Sequence, residues 1–82
     1  MEYRLSIDSE VLHFFVSLNE DEQALVLRWL GKLQAQPFTR GRYNVQDSVG
    51  RDVEVSIFSI YIVYHWTDHA VKTVNVIGME RA

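Results

Sequence analysis

The chain has 82 residues, of which 48% are hydrophobic and 23% charged, a composition that suits one small folded domain over residues 1–82 and excludes a disordered polypeptide. Eight Lys and Arg against eleven Asp and Glu leave a net charge of -3, so no global positive field draws in a phosphate backbone and nucleic-acid binding requires a local patch. Cysteine is absent, which excludes disulfides, thiolate metal ligands and a thiol nucleophile.

The opening residues carry acids early and no long apolar run, so they do not read as a secretory signal. No stretch reaches the length of a membrane span, and a cytoplasmic protein without membrane contact is expected. Tyr3, Leu5 and Ile7 alternate with Arg4 and Ser6, the period of a half-buried strand. Val11, Phe14, Phe15 and Leu18 then recur at offsets of three and four, which predicts a helix over residues 10–18 with Ser9 as its cap.

Asn19 followed three residues later by Glu22 is a capping-box pattern, and Glu20, Asp21 and Glu22 place negative charge where the helix dipole favours it. Val26, Trp29, Leu30 and Leu33 line the apolar face of this second helix, and Pro37 ends it. Two helices joined by almost no loop have stripes that need a third surface to cover them. Trp29 and Trp66 each lie on an apolar face and are read as structural.

From Gly41 onward the period changes to two, with turn residues at Gly41, over 47–50, near Ser59 and over 67–70. A meander of strands follows, the last over residues 71–77. A loop at Phe58 and Ser59 pairs Val53 with Tyr64 and Val55 with Ile62, so Val53, Val55 and Ile57 join Ile60, Ile62, Tyr64 and Trp66 in one apolar wall for the helices. The same register sets Asp52 directly opposite His65 on the exposed face, with Glu54 one step along. Such a carboxylate and imidazole can move protons, or they can form a solvated pair that pins the register.

His65 and His69 fall on a strand end and a turn with no third ligand nearby, so neither a metal site nor a cofactor is expected. His13 lies on the flank of the first helix and is assigned no role. Arg40, Arg42, Arg51 and Lys72 are either a small basic rim near the sheet edge or scattered surface cations.

The order strand, helix pair, meander, closing in SIYIVYHWTDHAVKTVNVIGMERA, resembles RelE/ParE toxins of bacterial type II toxin-antitoxin systems over essentially the whole chain. The residues that carry the likeness are the hairpin of residues 51–66 with Tyr61-Ile62-Val63-Tyr64, the turn Thr67-Asp68-His69 and the close Gly78-Met79-Glu80-Arg81. The resemblance implies an α+β fold of order β-α-α-β-β-β(-β), with a two-helix hairpin on one face of a mainly antiparallel sheet. It also implies a cognate antitoxin as partner, and a target that is either the ribosome with its messenger RNA or DNA gyrase. A role in plasmid stabilization belongs to the same inference.

In RNA-cutting members, lysines on the strand matching residues 51–57 and an arginine on the next strand project from the face opposite the helices. Here those places hold Asp52, Glu54 and Tyr61, and carboxylates there repel the phosphate that cations would stabilise. Arg81 matches the family's arginine near the last strand, while the chain stops one residue later, without the aromatic residue often found further on. The resemblance therefore favours a toxin or toxin-derived protein acting through macromolecular binding, rather than a standard RelE-type endoribonuclease. An endoribonuclease of variant design would use Asp52 or Glu54 as base, His65 as acid and Arg81 on the phosphate, with Arg40, Arg42, Arg51 and Tyr61 as further contacts. A gyrase inhibitor or a non-catalytic interaction module needs none of these residues.

Overall fold

The computed structural model describes residues 2–82. Its elements are β1 (Arg4–Ile7), α1 (Ser9–Val16), α2 (Glu20–Ala35), β2 (Tyr43–Gln46), β3 (Asp52–Phe58), β4 (Tyr61–Asp68) and β5 (Thr73–Arg81). The boundaries follow from local chemistry. At the start of α2 the Glu22 amide donates to Asn19 Oδ1 at 2.9 Å and the Asn19 amide donates to Glu22 Oε1 at 3.2 Å, so the capping box forms as expected. The helix stops at Ala35, and Gln36 leaves helical angles ahead of Pro37.

Ser9 is not the cap of α1. It is the first helical residue, and Asp8 holds the cap position with extended backbone, its carbonyl accepting from the amides of Val11 and Leu12. The Asp8 side chain makes no capping bond, so this helix end is closed by backbone alone.

The strands form one sheet in the order β1-β5-β4-β3-β2. Neighbours from β5 to β2 are antiparallel, and β1 runs parallel to β5, with Leu5 beside Val74 and Ile7 beside Val76. Both helices lie on one face. Val11, Leu18, Val26, Leu30 and Leu33 meet Tyr61, Val63, Val74 and Val76 in a single buried cluster. Each fully buried large aliphatic side chain there contributes roughly 1.5 to 3 kcal/mol.

The helix-facing side of the hairpin differs from the sequence reading. The turn is Ser59–Ile60, with Ser59 at φ 53, so Phe58 pairs with Tyr61, Val55 with Tyr64 and Ile57 with Ile62. Val53, Val55 and Ile57 do share a face with Ile62, Tyr64 and Trp66, but it is the face turned away from the helices. Tyr61, Val63 and His65 point into the core instead. Every position from Ile60 to Trp66 is apolar or amphipathic, so a period of two carries no phase in this strand. Val55 is nonetheless fully buried, flanked on the open face by Tyr43 of β2 and Tyr64 of β4.

The last strand begins later and runs further than expected. The Asp68 carboxylate accepts from the amides of Ala70 and Val71 and holds a turn through Lys72, which has φ 52. A bulge opposite Tyr64 and His65 takes up Ile77, and β5 continues through Gly78 to Arg81. Among the described residues no helix is long and apolar enough to cross a membrane.

Candidate functional site

The segment between α2 and β2 folds back over β3 and walls a shallow cleft of about 440 Å³. Two contacts anchor it: the Gly41 amide donates to Glu54 Oε1 at 2.7 Å, and the Arg42 amide donates to the Val55 carbonyl at 2.8 Å. Only glycine fits at 41, because a Cβ there would lie 2.5 Å from the Val55 carbonyl oxygen.

Four of the residues singled out in the sequence meet in this cleft: Arg40, Arg51, Asp52 and Glu54. Arg51 is immobilised, its guanidinium 2.7 Å from Asp47 and 4.0 Å above the Trp66 ring. The Arg51 amide and guanidinium, with the Val49 amide, hold the Asp47 carboxyl below the usual carboxylate range. Asp52 accepts only a 3.3 Å bond from the Gln46 side chain. On the opposite wall Phe38, 75% exposed, stacks on the His69 imidazole at 4.4 Å, and His69 Nδ1 lies 2.8 Å from the Tyr3 hydroxyl. Two arginines are thus matched by two carboxylates in a cleft with aromatic walls, which is not an electropositive hollow.

The expected partnership of Asp52 with His65 is not formed. Glu54 stands opposite His65, and Asp52 faces Gln46 on β2. The turn one residue later than read shifts the register by two. His65 is also on the wrong face for chemistry in solvent: it is 1% exposed, bonded through Nε2 to Ser56 Oγ at 2.7 Å and packed edge-on to Trp29. Burial pushes its imidazole below the ordinary value, only partly opposed by the Glu54 charge.

Tyr61 and Arg81 lie at the other end of β4, roughly 17 Å from Trp66 at 3.3 Å per residue. Tyr61 is buried, not projecting from the open face, and its hydroxyl donates to Glu22 Oε2 at 2.6 Å. Arg81 NH1 reaches the same oxygen at 3.0 Å. Tyr61, then Arg81, then the Asn19 amide hold the Glu22 carboxyl down at about 2, and the same bond to Glu22 pushes the Tyr61 phenol up. Arg81 is therefore tied to a helix-borne carboxylate, outside the cleft. Arg42 is exposed beside β2 and also does not line it.

Glu22, Ser56, Phe38 and His69 carried no site assignment from the sequence. The capping box accounted for Glu22, and nothing local signals a partner 39 residues away. Trp66, read as a core residue, lies on the open face beneath Arg51.

A helix pair on one face of a five-stranded sheet in the order β1-β5-β4-β3-β2, with the first strand parallel to the last, is the RelE-like toxin fold. Three solved structures share it. RelE in the archaeal RelE-RelB complex from Pyrococcus horikoshii OT3 is 18% identical, with a TM-score of 0.79 over 99% of this chain and 96% of its own. The toxin-antitoxin complex RelBE2 of Mycobacterium tuberculosis gives 14% identity and a TM-score of 0.80, covering both chains completely. A double arginine-to-alanine mutant of the E. coli toxin RelE, solved in the free state, gives 17% identity and a TM-score of 0.67 over this whole chain and 85% of its own. No family model and no curated protein matches the sequence.

Proposed function

We propose that this protein is a RelE-like toxin component, or a protein derived from one, that acts by binding other macromolecules and first of all an antitoxin protein. The observation that carries this reading is the combination of a whole-chain RelE-like architecture with a cleft in which Asp52 and Glu54 offset Arg40 and Arg51. A phosphate entering that cleft meets as much negative charge as positive, so the electrostatic stabilisation that RNA cleavage needs is missing. The open sheet face instead presents Tyr43, Val45 and Ile57, all exposed, beside Ile62 and Tyr64. Apolar and aromatic side chains in that number suit a protein partner. In two of the structurally similar complexes the RelE protein is bound to RelB or forms part of a toxin-antitoxin complex, which is the reason for naming an antitoxin. We place the protein in the cytoplasm as a single domain. Co-expression of the tagged chain with the product of the adjacent short gene tests the proposal: a complex that survives gel filtration supports it, and a chain that elutes alone overturns it.

A second reading draws on the meeting of Arg40, Asp52 and Glu54 in one cleft. In a ribosome-dependent endoribonuclease of this design, Asp52 or Glu54 takes the proton of the attacking 2′-hydroxyl and Arg40 steadies the phosphate. His65 and Arg81 have no part in it, being buried and ion-paired. Expression without a partner then leaves cleaved messages, and Arg40→Ala abolishes them.

A further inference from the structure

The cleft beside β3 does not end at its aromatic wall. Pro37, Phe38 and Thr39 also line a second hollow with Tyr3 and Ala35, and Tyr3, Ala35 and Pro37 line a third that reaches Gly31 of α2. These two hollows hold about 600 and 350 Å³, so each, like the cleft, is in the size range of a ligand pocket. Together the three make one groove along the end of α2. Its middle is apolar, because the polar groups there are already bonded: the Gln34 side chain donates to the Tyr3 carbonyl at 2.7 Å, and the Thr39 hydroxyl to the Gln36 carbonyl at 2.7 Å. Phe38 stands between the middle and the cleft, with His69 against one side of its ring and most of its surface open to solvent. Within the cleft the charges are uneven once pairing is counted. Arg51 is bound to Asp47, which does not line the cleft. Arg40, Asp52 and Glu54 have no ion-pair partner among the described residues, two carboxylates against one guanidinium. Asp52 Oδ1 accepts from Gln46 and Glu54 Oε1 from Gly41, which leaves the second oxygen of each carboxylate without a donor among the described residues.

We infer that this groove takes an extended segment of a partner protein, with an apolar side chain between Tyr3 and Phe38 and an arginine further along the segment in the cleft. The inference rests on the reading of the protein as a binder of other proteins, and it names the chemistry that the bound segment carries. Arginine fits because its planar guanidinium lies on the open side of the Phe38 ring while its fork of N–H groups donates to the free oxygens of Asp52 and Glu54. A carboxylate in the same place is repelled by both acids. Arg40 is the lining group that opposes the arginine, so its removal strengthens binding, the reverse of what a phosphate-binding cleft would show. The contacts that build the groove are present in the single chain: the Gly41 amide is tied to Glu54, Phe38 to His69 and His69 to Tyr3. Binding therefore costs little ordering of the site.

The test is an NMR titration of the isotope-labelled chain with the blocked peptide acetyl-Leu-Ser-Arg-amide and with its counterpart acetyl-Leu-Ser-Glu-amide. The arginine peptide should shift the Gly41 amide and the Phe38 ring resonances with a dissociation constant on the order of 1 mM, and the glutamate peptide should bind roughly tenfold more weakly. Asp52→Asn and Glu54→Gln should each weaken the arginine peptide about threefold, and Arg40→Ala should tighten it about threefold. The same spectra show that each variant is folded. Equal binding of the two peptides, no binding of the arginine peptide up to roughly 20 mM, or weaker binding by Arg40→Ala each overturns the inference. Co-expression with the adjacent gene product separates it from the reading it rests on. A complex that forms as well with the double variant Asp52→Asn, Glu54→Gln as with wild type overturns the inference and leaves the partner reading standing. No complex, with the arginine peptide bound as stated, supports the chemistry of the groove and overturns the partner reading.

Discussion

Tyr61 and Arg81 stand directly opposite one another across β4 and β5, and both donate to the same oxygen of Glu22. Three elements, the start of α2, the start of β4 and the end of β5, are joined at one carboxylate. The Glu22 carboxyl is held at about 2 against an ordinary 4.5, so its contribution to stability is complete above pH 4.5 and is lost as the pH falls toward 2. Thermal unfolding of wild type and Glu22→Gln across that range checks this. Wild type should have the higher midpoint at neutral pH, and the two should converge in acid.

The buried Ser56 and His65 pair makes a second pH-dependent contribution. Burial depresses the His65 pKa below the ordinary 6.5, so the stability it represents is present above 6.5 and declines as the pH falls through the folded value. Proton NMR should show His65 titrating below 6.5. Ser56→Ala leaves Nε2 without its 2.7 Å partner in the core and should cost about 1 to 3 kcal/mol by chemical denaturation.

Two glycines should respond to alanine with opposite signs. Gly41→Ala drives a methyl against the Val55 backbone and should destabilise by about 1 to 3 kcal/mol while displacing the wall of the cleft. Gly31 lies within α2 with open space where its Cβ would be, so Gly31→Ala should stabilise by about 0.5 to 1 kcal/mol. Urea unfolding of the pair reads both effects in one experiment.

The orientation of β4 can be tested through residues that a strand reading alone cannot rank. Val63 is fully buried against the helices and Ile57 is 39% exposed on the open face. Val63→Ala should cost roughly 2 kcal/mol and Ile57→Ala well under about 1 kcal/mol. The reverse order would mean that the helices lie on the other side of the sheet.

Much of this architecture is legible in the residues themselves. The Asn19 and Glu22 box and Pro37 bracket α2 correctly, the alternation of Tyr3 to Ile7 marks the first strand, and the resemblance to RelE/ParE toxins anticipates the order of elements. The failures share a physical cause. In β4 both faces are apolar, so the choice between them rests on a turn, and placing that turn one residue early moved His65 from Glu54 to Asp52. The set that turned out to face the core includes Tyr61, Ser56 and His65, whose polar atoms are satisfied by Glu22 and by each other. Those bonds form between distant parts of the chain, and no local pattern announces them. Part of the cleft is legible in the charged residues Arg40, Arg51, Asp52 and Glu54, but its Phe38 and His69 wall depends on how the loop after α2 folds back.

The most direct test of the central claim is a translation reaction with purified ribosomes and a defined messenger RNA, to which the protein is added without any antitoxin and the message is mapped by primer extension. With Asp52 and Glu54 balancing the cleft's arginines and Arg81 tied to Glu22, the message should remain intact. Ribosome-dependent cuts that disappear with Arg40→Ala would contradict the account and make the cleft an active site.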